Sequence, residues 1–230
     1  MANPLLDTHE LPPFSAIEVA DIQPAVTQLI ERNKQTIEEL LAAGHEFSFS
    51  GLLGAVEALE DELAQAWSPV SHLNSVRNSD DLRGAYNACL PLLSEYGTWM
   101  GQHDQLYAAC RQIADGPAYR QLAAAERKSL DNALRDFRLA GVALPAEHKA
   151  RYGEIKKRLS ELGSKFGENV LDATNAWSKQ VTAEELTGLP ETAMALARQA
   201  AEQQGLEGYL INLEFPSYLP VMTFCDSAEP

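Results

Sequence analysis

The sequence predicts a mainly α-helical protein: a multi-helix array around a long central helix, with one β-strand segment near the C-terminus. Three observations carry that prediction. Between Glu147 and Lys179, the residues Tyr152, Ile155, Leu159, Leu162, Phe166, Asn169, Ala173 and Ala176 recur at three- and four-residue steps, with Val170, Leu171 and Trp177 widening the row. That is the stripe of an amphipathic helix; roughly 30 residues at ~1.5 Å rise make a rod of ~45 Å, and burying its stripe requires helices packed along it. Upstream, segment after segment keeps the same helical period. Only from Tyr209 does the period change, to the alternation of a half-buried strand.

Residues 1–20 hold Pro4, Pro12 and Pro13 and predict an extended N-terminal arm. A helical domain is expected over 21–205. Asp21 reads as an N-cap with Pro24 in the first turn, and Val26, Leu29, Ile30, Asn33, Ile37, Leu40 and Leu41 keep helical spacing until Gly44. A second helix is expected from Ser50 to Trp67, with Leu52, Val56, Leu59, Leu63 and Trp67 inward and Glu57, Glu60, Asp61 and Glu62 solvated. Ser68 and Pro69 then cap and open a short new helix that ends at Asn78. Ser79 caps a further one through Leu82, Tyr86, Cys89 and Leu93 to Trp99, kinked at Pro91. Leu106, Cys110 and Ile113 continue the spacing to Asp115-Gly116, and Pro117 opens a helix carrying Leu122, Leu130, Leu134 and Phe137 to Gly141.

After the long helix, Thr182 and Pro190 punctuate the chain, and the alanine-rich stretch from Pro190 to Gln204 is helical until Gly205. Tyr209, Ile211, Leu213 and Phe215 alternate with Leu210, Asn212 and Glu214 as a strand that Pro216 ends; Ser217 to Cys225 reads as a short irregular helix. A single strand needs a partner, and the sequence offers no second one. The segment 206–230 is therefore expected to continue in a longer parent protein.

Composition bounds the function. Hydrophobic residues at 45% and charged residues at 22% suit a globular chain with ample core, while the net charge of -15 disfavours nucleic acid and anionic membrane surfaces as partners. Cys89, Cys110 and Cys225 form no C-x-x-C pair, so neither a zinc knuckle nor a disulfide framework is indicated. The first residues lack a basic n-region and a long apolar core, and no apolar run approaches the ~20 residues of a membrane helix. The expectation is a reduced, soluble, cytoplasmic protein.

No constellation of residues carries catalysis. His45-Glu46 and His9-Glu10 begin like an H-E-x-x-H zinc helix, but the fifth positions are Phe49 and Pro13. No two of His9, His45, His72, His103 and His148 stand three or four residues apart, so a local zinc site is not expected. His72, in Ser71-His-Leu-Asn74, lies in the most distinctive polar segment and reads as a hydrogen-bonded histidine between helices. Gly51-Leu-Leu-Gly54 lacks the spacing and the lysine of a phosphate loop, and no G-x-S-x-G elbow exists. The cysteines flank apolar stripes, where inert thiols are expected. Gly163 and Gly167 in the long helix suggest close approach of a neighbouring helix, and Tyr209, Tyr218 and Phe224 with Pro216 and Pro220 could line a peptide groove or simply face a core. Catalytic, cofactor-binding and metal-ligating residues are all expected to be absent.

Several blocks resemble the thimet-oligopeptidase family of zinc metallopeptidases. They are Asn3-Pro-Leu-Leu6, Leu11-Pro-Pro-Phe14, Ser68-Pro-Val-Ser-His-Leu-Asn-Ser75 and Leu90-Pro-Leu-Leu-Ser-Glu-Tyr96. The run Arg135-Asp-Phe-x-Leu-x-Gly-Val-x-Leu-Pro145 follows, then Arg151-Tyr-x-Glu-Ile155 and Arg158-Leu-Ser-Glu-Leu-Gly163. Phe166-x-x-Asn-Val-Leu-Asp-Ala-Thr174 and Phe215-Pro-Ser-Tyr-Leu-Pro-Val-Met222 carry the likeness to the end. The resemblance implies a largely helical protein with a channel between two halves in which short peptides are cleaved, by zinc held on an H-E-x-x-H helix and a downstream glutamate. None of those ligands matches a position here, so the chain is expected to be the non-catalytic N-terminal portion. It would wall the channel, with the zinc in the parent protein and the C-terminal catalytic half and short peptides as partners. The competing reading is a stand-alone helical peptide-binding or adaptor module; a helical solenoid would require a fixed repeat, which is absent.

Overall fold

The computed structural model describes residues 3–7, 11–44 and 46–227. Its elements are α1 (Val19–Ala43), α2 (Ala55–Val76), α3 (Asp80–Gly101), α4 (Asp104–Asp115), α5 (Ala124–Leu139), α6 (Ala146–Ala176), β1 (Ser178–Val181), α7 (Glu191–Gln203), β2 (Tyr209–Asn212) and α8 (Phe215–Phe224). The protein is thus mainly α-helical, with one small antiparallel sheet. No helix among the described residues is long and apolar enough to cross a membrane. The chain divides into two compact units, Met1–Leu162 and Gly163–Pro230.

In the first unit, α1 begins earlier than Asp21. Its N-cap is Glu18, and Asp21 is the acid three residues on that reaches back, its Oδ2 accepting from the Glu18 N–H at 3.0 Å. Pro24 consequently lies inside the helix rather than in its first turn. Ser68-Pro69 does not open a new helix either: α2 runs through both, because Pro69 and Val70 are buried and their packing outweighs one missing backbone bond. Ser79 caps α3 as expected, its Oγ accepting from the Leu82 N–H at 3.3 Å. Pro117 opens only a 3-10 turn, Pro117–Gln121, and α5 starts separately at Ala124, where Glu126 accepts from the Ala123 N–H at 2.7 Å. Gly141, at φ +84°, closes α5.

The core of this unit gathers on α1. Ile22, Val26, Leu29 and Ile30 pack with Leu63, Ala66 and Val70 of α2 and Leu82, Cys89 and Tyr96 of α3. Two turns further along, Ile37 joins a second cluster with Leu52, Val56, Leu106, Cys110, Ile113, Leu130, Leu134 and Phe137, so α1 threads both. Each end of one apolar stripe serves a different set of partners.

The long helix forms, but its stripe does not face inward. No side chain of α6 is buried. Ile155, Leu159 and Leu162 are 44%, 59% and 45% exposed, and Phe166 and Val170 are exposed as well. The first half of α6 meets α3 and α4 by its other side: Gly153 faces Thr98, Lys157 Nζ lies 2.9 Å from Glu95 Oε1 and Lys149 Nζ 2.9 Å from Asp104 Oδ1. Gly163 and Gly167, expected at a close crossing, have open space around them. The helix needs no burial to register its period, because good helix formers and i,i+3 pairs such as Arg151–Glu154 and Arg158–Glu161 support it locally.

The second unit corrects the C-terminal reading. The helix ends at Ala176, and Ser178–Val181, expected as helix up to Lys179, is the missing partner strand. It pairs antiparallel with β2 in the register Ser178↔Asn212 to Val181↔Tyr209. β2 stops at Asn212, and Leu210 and Ile211 are both buried, so strict alternation is not kept; Leu213 and Phe215 are exposed. Val181, Leu186, Ala197 and Ile211 form the small core of this unit.

Candidate functional site

Among the described residues, the histidines that the sequence singled out do not converge. His9 and His45 lie outside the described residues. His72 is exposed, its ring tilted against Phe14 at 5.6 Å between centroids, and His148 is exposed beside Glu147. His103 has a structural task. Its Nδ1 accepts the Leu106 N–H at 3.2 Å and so caps α4, its Nε2 stands 3.1 Å from Glu38 Oε1, and Trp99 meets it edge-on. An accepting Nδ1 fixes the neutral tautomer with the proton on Nε2, donated to Glu38.

The thiols are separate too. Cys89 and Cys110 are fully buried, and burial in apolar surroundings pushes both up to about 11, which holds them as thiols. Cys225 is partly exposed and donates to the Glu185 carbonyl at 3.2 Å. In the native protein Ellman's reagent therefore titrates Cys225 first, and the other two thiols only after denaturation; rapid reaction of all three would contradict this burial.

Zinc needs about three protein ligands converging on one point. Among the described residues, no group of three or more His, Cys, Asp or Glu side chains could hold a metal ion. The described residues do not fit the metal that the resemblance implies. Gly51-Leu-Leu-Gly54 is part of a wide turn that buries Leu52 and Leu53.

Among the described residues, two concavities involve α6. In the second unit a cleft of about 380 Å³ is lined by the amides of Asn175, Gln199, Gln203 and Asn212 together with Trp177 and Leu196. Amides donate and accept hydrogen bonds, and the hydroxyls of Thr174, Ser178 and Ser217 and the carboxylate of Glu214 line the cleft with them, so this surface is suited to holding polar chain. Pro216 lines it; Tyr209, Tyr218, Phe224 and Pro220 do not. Tyr209 instead meets Arg198, whose Nη2 donates to the phenol oxygen at 2.8 Å while the guanidinium lies 5.3 Å from the ring centre. The amides are spread over α6, α7 and β2, with no local spacing by which a sequence could announce them. In the first unit, a groove of about 620 Å³ between α3 and the first half of α6 is lined by Trp67, Leu90, Leu93, Tyr152, Lys156 and Leu159 among others.

Comparison with known proteins supplies the context. Residues 26–149, more than half of the chain, match the family described as Neurolysin/Thimet oligopeptidase, N-terminal domain. Oligopeptidase A of Escherichia coli (strain K12) is 52% identical over 228 residues, covering 99% of this chain and 34% of that protein. Oligopeptidase A of Haemophilus influenzae is 51% identical over 228 residues, with 99% and 33% covered. The probable cytosolic oligopeptidase A of Arabidopsis thaliana is 32% identical over 229 residues, covering 96% of this chain and 32% of its own. The chain spans about a third of the length of these relatives. It belongs to the neurolysin/thimet oligopeptidase family and corresponds to the N-terminal portion of its oligopeptidase A members.

Proposed function

We propose that this chain is the non-catalytic N-terminal portion of an oligopeptidase A-like zinc metalloendopeptidase that degrades short peptides, and that it walls the substrate channel and restricts access to it. The observation that carries this reading is the end-to-end match: nearly the whole chain aligns with only about a third of each bacterial relative. Its partners are then the C-terminal catalytic half and short peptides, with the zinc on that half and the cytoplasm as its setting. Bound there, the metal supplies a polarised water and a Lewis acid. The helices of the first unit supply a framework, and the amide-lined cleft of the second supports a role in holding an extended peptide.

An internally quenched peptide tests the proposal. The 230-residue chain, supplied with zinc, is expected to cleave no faster than buffer. The same chain joined to the downstream two thirds of the Escherichia coli relative is expected to cleave at least ~100-fold above that background. Robust zinc-dependent cleavage by the chain alone would overturn the reading, and an inactive joined chain would favour a stand-alone binding module.

A further inference from the structure

We propose that the apolar row of half-buried Tyr152 and exposed Ile155, Leu159 and Leu162 on the first half of α6, with the groove it shares with α3, is the docking surface for the catalytic part of the enzyme. We propose further that it takes a segment with acidic flanks and not a second copy of this chain. The inference rests on the functional reading above and adds to it the surface and its polarity.

Geometry comes first. At ~100° per residue, Tyr152, Ile155, Leu159 and Leu162 fall within one quadrant of the helix, and Gly153 and Lys157 lie on the far side from it. The far side is the one already in use, against Thr98 and Glu95 of α3. The apolar row is therefore a second packing face, left largely uncovered by the described residues of the first unit. Ile155, Leu159 and Leu162 remain 44–59% exposed within two turns, beside a groove whose floor adds Leu90, Leu93 and Trp67. A contiguous apolar row of this kind marks an interaction surface.

Charge then chooses the occupant. The whole chain carries -15, yet the row is bordered by Arg151 and Arg158 on one flank and by Lys156 on the other. Both arginines pair within their own helix, to Glu154 at 2.8 Å and Glu161 at 3.2 Å, and stay largely exposed. Two copies meeting along this row would oppose cation to cation whichever way they ran: antiparallel helices set like flank on like flank, and parallel ones set the arginines on Lys156. A second copy is selected against. The relatives' remaining two thirds of chain is long enough to supply the partner, and a segment with carboxylates beside an apolar ridge fits what this face offers.

Thiol labelling reads the surface directly. In a Cys225→Ser background, Leu159→Cys is expected to label rapidly in the 230-residue chain and at least ~10-fold more slowly in the chain joined to the downstream part of the Escherichia coli relative. Adding Arg151→Glu and Arg158→Glu to the joined chain is expected to restore several-fold of that rate. An active joined chain that labels as fast as the isolated one overturns the docking surface and leaves the functional reading standing. An inactive joined chain overturns the functional reading. Unchanged labelling in the double arginine variant overturns the acidic flanks. Sedimentation of the isolated chain is an independent arm: a dimer abolished by Leu159→Asp would make the occupant a second copy and overturn the proposal.

Discussion

Asn33→Asp lowers the stability of the first unit by about 3–5 kcal/mol at pH 7, the cost of leaving an uncompensated charge in a core. Asn33 is fully buried on α1, between the two apolar clusters. Its Nδ2 donates to the Leu59 carbonyl at 3.0 Å and to the Tyr96 hydroxyl at 3.4 Å, and Tyr96 in turn donates to Glu60. Burial and the Glu60 carboxylate together raise the Tyr96 hydroxyl well above its ordinary value, so it stays a donor. Aspartate keeps the shape and removes the donor. A carboxylate oxygen would then face a carbonyl oxygen, with Glu60 close behind Tyr96. The nearest cation, Arg32, stands 3.4 Å from Oδ1, but it is half exposed and bound to Glu62 at 2.6 Å, so it offsets little.

The pH dependence separates charge from packing. A carboxyl held in such a site has a folded-state pKa above its unfolded value of ~3.9, so folding favours its protonated form. The deficit of the variant relative to the native chain is therefore small near pH 4 and opens as the pH rises through the raised pKa toward neutrality. Urea melts of both proteins at pH 4.5 and 7, followed by the fluorescence of Trp67 and Trp99, read this difference directly. A gap that stays constant with pH would mean that the variant fails by shape, and the polar account of Asn33 would be wrong.

Helical period was easy to see in this sequence, and its destination was not. Ile22 to Ile37 repeat as an amphipathic helix does, and they are buried. Ile155 to Phe166 repeat just as well and are exposed. Local chemistry makes both helices; only partners elsewhere in space decide which stripe is covered. The same distinction explains the prolines. Pro117 and Pro69 carry equal local signals, yet Pro69 is buried mid-helix while Pro117 opens a short turn, because the core formed around Val70 compensates the lost bond. Ser178–Val181 hid behind the long helical pattern before it. Four residues without a clear alternation announce a strand only when the partner Tyr209–Asn212 is in place. A local motif such as H-E-x-x-H can be sought in a sequence by spacing alone. The amide cleft cannot, because its members come together only through the packing of α6, α7 and β2 within the second unit.

Gly188→Ala is expected to destabilise the second unit by about 2–4 kcal/mol, through backbone strain and a collision that cannot relax. Gly188 sits at φ +98°, a region that side chains rarely adopt, and a Cβ there would lie 2.3 Å from the Phe224 carbonyl oxygen. The obstacle is backbone, so no rotamer change removes it. It is also tied in place: the Asp226 N–H donates to the Thr187 carbonyl at 2.8 Å, binding the end of α8 to this turn. The turn is what carries Leu186, 1% exposed, into the small core with Val181, Ala197 and Ile211. Gly205 supplies the control. It too has positive φ, at +69°, but open space surrounds it, so Gly205→Ala meets only the backbone term of about 1 kcal/mol. Trypsin cleavage at Lys179 and Arg198 under native conditions reports opening of this unit, and a 2 kcal/mol loss accelerates it about 30-fold. Gly188→Ala should therefore be cut at least several-fold faster than Gly205→Ala. Equal rates would show that the 187–226 contact yields freely, in which case it does not hold Leu186 in the core.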